Sequence, residues 1–432
     1  MVNDAITAKG GSGRGYSHGA SRDREIVTRY SVTAGRWGFT DWVAFGTVLA
    51  CLLPYLDVSP LSNDLQPHFL AIFFGAYIWT RRESVLHDPL VAKVVLFSFF
   101  YAGVLFALGG VVSAVSFLLV PILSVLLTHE RLEVLDAAVR VAVVAYLTGC
   151  IIELVIGRGS LDRFVSNARG SDSRGLHSLA SEPSYLSIVA FVALTYFLWR
   201  RSHVAWVICA GLLAVLSGSL TGLIPMAVVV LLYSLHTRSI PKFAASLITV
   251  VTVLWLLSAT AQDGTRIGSL IETAGAGSGS ILSDVSVGNR IVRSFGPVAL
   301  AAEDAFIPHR SGSENSALRV EWEFLSERSD YLVERTSNFL SVASYELGFL
   351  ALPLVIALLI GVRAPVYLVF AAGYLCVTNV SALTPYVALV FALVMMKDRT
   401  DCAREASRVK GADAAAGVRF GQSRRRICRP RE

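Results

Sequence analysis

The sequence predicts an all-α, polytopic membrane protein with about twelve transmembrane helices. Three observations predict it. Of the 432 residues, 54% are hydrophobic and only 16% charged, where soluble domains carry about 25% charged residues, and the mean hydropathy is +0.59. Apolar runs approaching the ~20 residues that cross a bilayer as a helix recur from Asp41 to Met396. The basic residues of the short connections fall in alternate gaps between those runs. A soluble enzyme with polar domain surfaces is excluded. The net charge of +6 does not mark a nucleic-acid groove: from Lys397 onward the chain holds 11 Lys/Arg and 5 Asp/Glu, a surplus equal to that of the whole protein.

Residues 1–40 are rich in Gly, Ser and Arg and lack the apolar core of a signal peptide, so they read as a disordered cytoplasmic tail. The glycines from Gly10 to Gly15 lack the Lys-Ser/Thr of a phosphate loop. The membrane domain, 41–396, divides into runs at Asp41–Val58, Gln66–Thr80, Pro89–Leu108, Gly109–Thr128, Val134–Gly157 and Ser184–Trp199. It continues through His203–Ser217, Leu220–His236, Pro241–Ala261, Ser337–Gly361, Ala364–Thr378 and Ala382–Met396. Alternate connections carry Arg81/Arg82, Arg131, Arg200/Arg201, Arg238/Lys242 and Arg363. The short loops near Pro60, Gly109, Gly218 and Asn379 carry no Lys or Arg. By the positive-inside rule both termini are expected in the cytoplasm, and 397–432 reads as a basic cytoplasmic tail near anionic lipid.

This topology leaves two long outward loops, 158–183 and 262–336. Loops of that length carry function or disorder. The larger one has 7 Arg, 11 Asp/Glu and no Lys. Its apolar residues Ile281, Val285, Ile291, Phe295, Val298 and Ala302 recur near helical spacing, and Leu318, Trp322, Leu325 and Leu332 repeat the pattern. Two amphipathic helices lying on the membrane domain are expected. Cys51, Cys150, Cys209 and Cys376 fall inside spans, and Cys402 and Cys428 in the tail. No structural disulfide, zinc motif, metal site or cofactor is expected.

The chemistry-bearing residues lie on the outward side. Arg158, Arg163, Arg169 and Arg174 fall within seventeen residues. Arginine's planar fork holds diphosphate with paired hydrogen bonds, and glycine beside it lets backbone approach a ligand. A solvated basic loop paired with Asp162, Asp172 and lipid headgroups is the alternative. Glu182 precedes Pro183, which holds it in extended conformation at the start of a span; it reads as a general base, an orienter of Arg174, or a helix cap. Arg290 and Arg293, three apart on the loop helix, offer a second cationic wall or pair with Asp284, Glu303 or Asp304. Glu346 lies inside the tenth span, where a carboxylate marks function or bonds a neighbouring helix. Lys93, Arg140 and Glu153, near span ends, read as snorkelling side chains.

Arg174-Gly-Leu, Glu182-Pro-Ser and Ser217-Gly-Ser-Leu-Thr221-Gly222-Leu, then Asn289-Arg290, Asn338-Phe339 and Tyr345-Glu346-Leu347-Gly348, occur in this order. Together they resemble the bacterial O-antigen and exopolysaccharide polymerase and O-antigen ligase family, over roughly Val134 to Gly361. The resemblance implies a GT-C-like fold at the periplasmic face of the bacterial inner membrane. It implies a metal-independent, inverting glycosyltransferase that moves a growing glycan from undecaprenyl diphosphate onto a lipid-linked repeat unit. Its partners would be undecaprenyl-diphosphate-linked oligosaccharide and membrane lipid, with a chain-length regulator and a flippase nearby, and no nucleic acid. In that picture Arg174 and Arg290 hold the diphosphate, Arg163, Arg169 and Arg293 support them, and Glu182 or His309 is the base. The ligase branch, which transfers glycan to lipid A core, uses a loop histidine for which only His177 or His309 is available. A transporter or flippase of lipid-linked oligosaccharide is the remaining alternative, expected to show polar groups at mid-membrane and repeated broken helices.

Overall fold

A computed structural model describes residues 37–56, 74–80, 89–165, 168, 175–238, 285–310, 338–354, 364–378 and 385–396. The chain divides into a short unit, Met1–Phe39, almost all outside the described residues, and a unit, Thr40–Glu432, that holds the packed helices. The described residues are helical and contain no strand. The nearest approach to one is an isolated antiparallel bridge between Leu56 and Val165.

The helices are α1 (Phe39–Leu52), α2 (Pro89–Ala107), α3 (Val111–Thr128), α4 (Leu132–Ile156), α5 (Pro183–Arg200), α6 (Val204–Leu216) and α7 (Leu220–His236). After them come α8 (Val285–Glu303), the short α9 (Phe339–Ser341), α10 (Val366–Val377) and α11 (Val387–Met395). Uninterrupted Leu, Val, Ala and Phe leave the backbone no polar partner but itself, and the helix satisfies it internally. Ser and Thr inside these runs turn their hydroxyls back onto the preceding turn: Thr47 donates to the Val43 carbonyl at 2.8 Å and Thr195 to that of Phe191 at 2.8 Å. Boundaries follow local chemistry. Pro183 opens α5 after an extended Glu182 (φ −146, ψ 154), and Arg201 closes it in the left-handed region at φ 54. His203 caps α6 through Nδ1, which accepts from the Ala205 amide at 3.3 Å.

α5 is the central element, buried along nearly its whole length from Leu186 to Leu198. α4 buries one face, including Leu135, Val139, Tyr146 and Glu153, and exposes an apolar opposite face at Val144, Ile151, Leu154 and Val155. α2 likewise exposes Leu96, Phe99, Phe100 and Phe106. Apolar side chains on both faces suit lipid and not water. Leu132–Ile156 and Pro183–Arg200 are long and apolar enough to cross a membrane, where the sequence predicted twelve spans. Phe39–Leu52, Val204–Leu216, Leu220–His236 and Val366–Val377 are apolar but shorter. The predicted run Pro241–Ala261 and the second amphipathic stretch at 318–332 lie outside the described residues.

Contacts sort the helix ends into two sets. At one end Arg131 pairs with Asp41 (3.2 Å), Tyr77 donates to Glu130 (2.6 Å), and Asp136 takes Arg200 (3.3 Å) and the Tyr196 hydroxyl (2.6 Å). At the other end Tyr55 packs on Tyr185, the Leu176 amide bonds the Leu216 carbonyl, and Tyr374 donates to the Thr221 carbonyl. The chain alternates between the sets through α4, α5, α6 and α7, an up-and-down arrangement.

The predicted continuous span Ser337–Gly361 is corrected. After α9 the chain makes a π turn over Val342–Glu346 and a 3-10 turn over Gly348–Ala351. Gly348 has φ 54, and a Cβ there would strike the Phe306 carbonyl oxygen. Only glycine satisfies both constraints.

Candidate functional site

The connection from α4 to α5 turns away through two glycines, Gly157 (φ 120) and Gly159 (φ 77), into a 3-10 turn at Asp162–Phe164. Arg163 is exposed there, its guanidinium 4.6 Å from the Phe164 ring centre. Arg169 and Arg174 lie outside the described residues. Gly175 lies against the Ser217 and Gly218 backbone, so closely that a Cβ would overlap it. In the same way Gly222 lies against Ser187. Three of the stretches that carried the resemblance thus meet at one end of α5, α6 and α7.

Glu182 is half-buried at the start of α5. Its side chain makes no cap bond, and Ser184 Oγ donates to its Oε2 at 3.1 Å. The helix-cap alternative for this carboxylate is therefore set aside.

The second group forms around the π turn. Glu346 is fully buried, and Ser113 Oγ on α3 donates to its Oε1 at 3.2 Å. The neighbouring Tyr345 stacks on His309, rings 4.3 Å apart and 9° from parallel. His309 presents Nε2 to Asp304 Oδ2 at 3.1 Å and Nδ1 to the Tyr345 carbonyl at 3.3 Å. Asp304, weighed as a partner for Arg290 or Arg293, thus pairs with His309. α8 carries Arg290 and Arg293 in its first half and joins this group where Ser341 Oγ donates to the Ser294 carbonyl at 3.1 Å.

α10 connects the two groups. Asn338 Nδ2 donates to the Val377 carbonyl at 3.2 Å while its Oδ1 accepts from the Ser341 amide at 2.7 Å. One turn earlier, Tyr374 reaches Thr221 beside Gly222. Glu182 and Glu346 therefore stand on one connected framework.

Sequence reasoning missed a further cluster. Glu153, read as a snorkelling side chain, is 2% exposed and faces His177. His177 Nε2 lies 3.0 Å from Glu153 Oε1 and 3.0 Å from Asp162 Oδ1, ion pairs by distance rather than aligned hydrogen bonds. Nδ1 faces the carbonyls of Ala180 (3.0 Å) and Ser178 (3.1 Å). Glu153 Oε2 accepts from the Ser178 amide at 2.8 Å. Burial by itself would push the His177 pKa down; the close Glu153 carboxylate, with the charge of Asp162 beside it, outweighs burial and holds the pKa above the ordinary histidine value. The rule that made Glu346 a candidate, a carboxylate within a span, also applied to Glu153. Among the described residues no three His, Cys, Asp or Glu side chains converge to hold a metal ion. No family model, curated protein or solved structure matches this chain.

Proposed function

We propose that this chain is a membrane glycosyltransferase of about twelve spans that polymerises a polysaccharide at the periplasmic face of the bacterial inner membrane, both termini cytoplasmic. Its donor is a growing glycan on undecaprenyl diphosphate, and its acceptor is a lipid-linked repeat unit. The observation that carries this reading is the convergence at one end of the bundle: Gly175 against Ser217, Glu182 opening α5, Gly222 against Ser187, and Asn338 tied to Val377.

An acceptor hydroxyl attacks the anomeric carbon of the donor, and the bond from that carbon to the diphosphate oxygen breaks. The electron pair leaves with undecaprenyl diphosphate, the proton goes to a base, and the configuration inverts. Arg174 and Arg290 neutralise the departing diphosphate, with Arg163, Arg169 and Arg293 in support. In a water-poor site each such donor is worth on the order of 3 kcal/mol. Glu182 serves as the base, a contribution of about 100- to 10,000-fold. His309 suits that task less, because both its nitrogens already face acceptors, Asp304 and the Tyr345 carbonyl. Glu346, enclosed and bonded by Ser113, shapes the π turn and does not reach a sugar.

The enclosure of His177 by two carboxylates and two carbonyls favours polymerase over ligase, because it leaves no lone pair for an incoming sugar. The test is chain growth by protein reconstituted with lipid-linked repeats. Arg174→Ala and Arg290→Ala should each lower the rate by about 100-fold, and lysine at either position should restore only part of it, keeping charge but losing the fork. Full activity in both alanine variants removes the arginine site.

A further inference from the structure

We propose that His177 is a charged latch: as an imidazolium between Glu153 of α4 and Asp162 of the 3-10 turn, it holds the 175–182 segment in place, and it releases that segment when deprotonated. All four groups around the ring are acceptors: two carboxylates at Nε2 and the Ser178 and Ala180 carbonyls at Nδ1. A neutral imidazole carries one N–H and would set a lone pair against oxygen lone pairs at the other nitrogen. The doubly protonated ring sets no lone pair against either side and places positive charge between the two carboxylates. It also neutralises a Glu153 side chain that water does not reach, and an unpaired buried carboxylate is costly.

The surroundings are shaped around this ring. Ser178 stands at φ 54, a left-handed conformation unfavourable for a non-glycine residue. That conformation is held by Glu153 Oε2 on the Ser178 amide and by Ser178 Oγ donating to the Tyr146 carbonyl at 2.6 Å. Gly149 of α4 supplies the notch, since a Cβ there would overlap Ser178 Oγ. Cys150, also on α4, bonds Ser178 and not the ring. From the α6–α7 turn the neighbour is backbone, Leu216 accepting from the Leu176 amide at 3.0 Å. Among the described residues, the charged groups facing His177 are thus Glu153 and Asp162.

With its pKa raised on folding, the imidazolium's contribution is full below the ordinary histidine value and fades as the pH climbs through the raised one. The latch opens toward alkali. Because the segment runs into Glu182, its release displaces the proposed base; this consequence rests on the polymerase reading, while the latch itself does not.

The test is hydrogen exchange by mass spectrometry on the full chain in lipid nanodiscs from pH 6 to pH 10. It follows peptides holding the Leu176, Ser178 and Ala180 amides, with rates corrected for intrinsic exchange. Protection should fall as the pH rises through a midpoint above the ordinary histidine value. In His177→Gln the peptides should exchange fast and independently of pH. Asp162→Asn, on an exposed turn, should shift the midpoint to lower pH while other helices keep their protection. It decides the matter if His177→Gln does not insert. Protection that stays flat in the native chain, or an unmoved midpoint in Asp162→Asn, overturns the latch. Chain growth measured in parallel should lose rate at the same midpoint; a moving midpoint in a protein that builds no chains would retain the latch and refute the polymerase reading.

Discussion

Glycine at 175 and 222 buys backbone contact. A Cβ at Gly175 would overlap the Ser217 carbonyl, and one at Gly222 the Ser187 carbonyl, whereas Gly211 on α6 has nothing within 4 Å. Gly175→Ala and Gly222→Ala should each cost about 1–3 kcal/mol by overpacking. Gly211→Ala should be neutral or gain up to about 1 kcal/mol of helix propensity. Thermal unfolding in detergent checks all three, and equal melting temperatures would contradict the packing described. From sequence, glycine beside arginine suggested backbone approaching a ligand; in the fold Gly175 approaches backbone. Glu153 was misread for a related reason. Its partner His177 lies 24 residues further on, brought back by turns at Gly157, Gly159 and Ser178 whose direction no hydropathy pattern encodes.

At the scale of elements, α7 matches its predicted run at both ends, and α4 and α5 match within two residues. Long apolar runs bounded by Arg, His or Pro leave little freedom in where a helix starts and stops. The tenth run was not legible in this way, because a π turn and a 3-10 turn keep the same apolar composition as a regular helix. Its break depends on Gly348 meeting Phe306 in the turn that follows α8. π turns carry one residue more than the regular helix and recur at functional sites. Deleting Ala343 should restore regular winding and close the wide turn around Glu346. Chain growth should then fall at least tenfold in a protein that still inserts. Ser113→Ala removes a donor to a buried carboxylate and should cost about 1–3 kcal/mol in thermal stability. Unchanged activity after the deletion would show that the turn does not serve the site.

For the whole molecule, the two sets of helix ends make a labelling prediction. Phe164 is exposed at the end that gathers Gly175, Glu182 and Gly222, and His203 is exposed at the end that gathers Asp136 and Arg200. In a chain stripped of its six cysteines, Phe164→Cys should react with an impermeant maleimide on spheroplasts. His203→Cys should react only after lysis. The reverse pattern would turn the topology over and put the arginines in the cytoplasm. Side assignment rests on the sequence alone, through the charge of the short loops, and the labelling is what tests it. The arginine site was legible only as residue types, since Arg169 and Arg174 lie outside the described residues.

The most direct measurement is product length. Purified protein, reconstituted with undecaprenyl-diphosphate-linked repeat units and no nucleotide sugar, should convert them into a ladder of progressively longer glycans still attached to the lipid carrier. Single repeat units left unchanged, or glycan appearing on lipid A core without any ladder, would contradict the polymerase assignment.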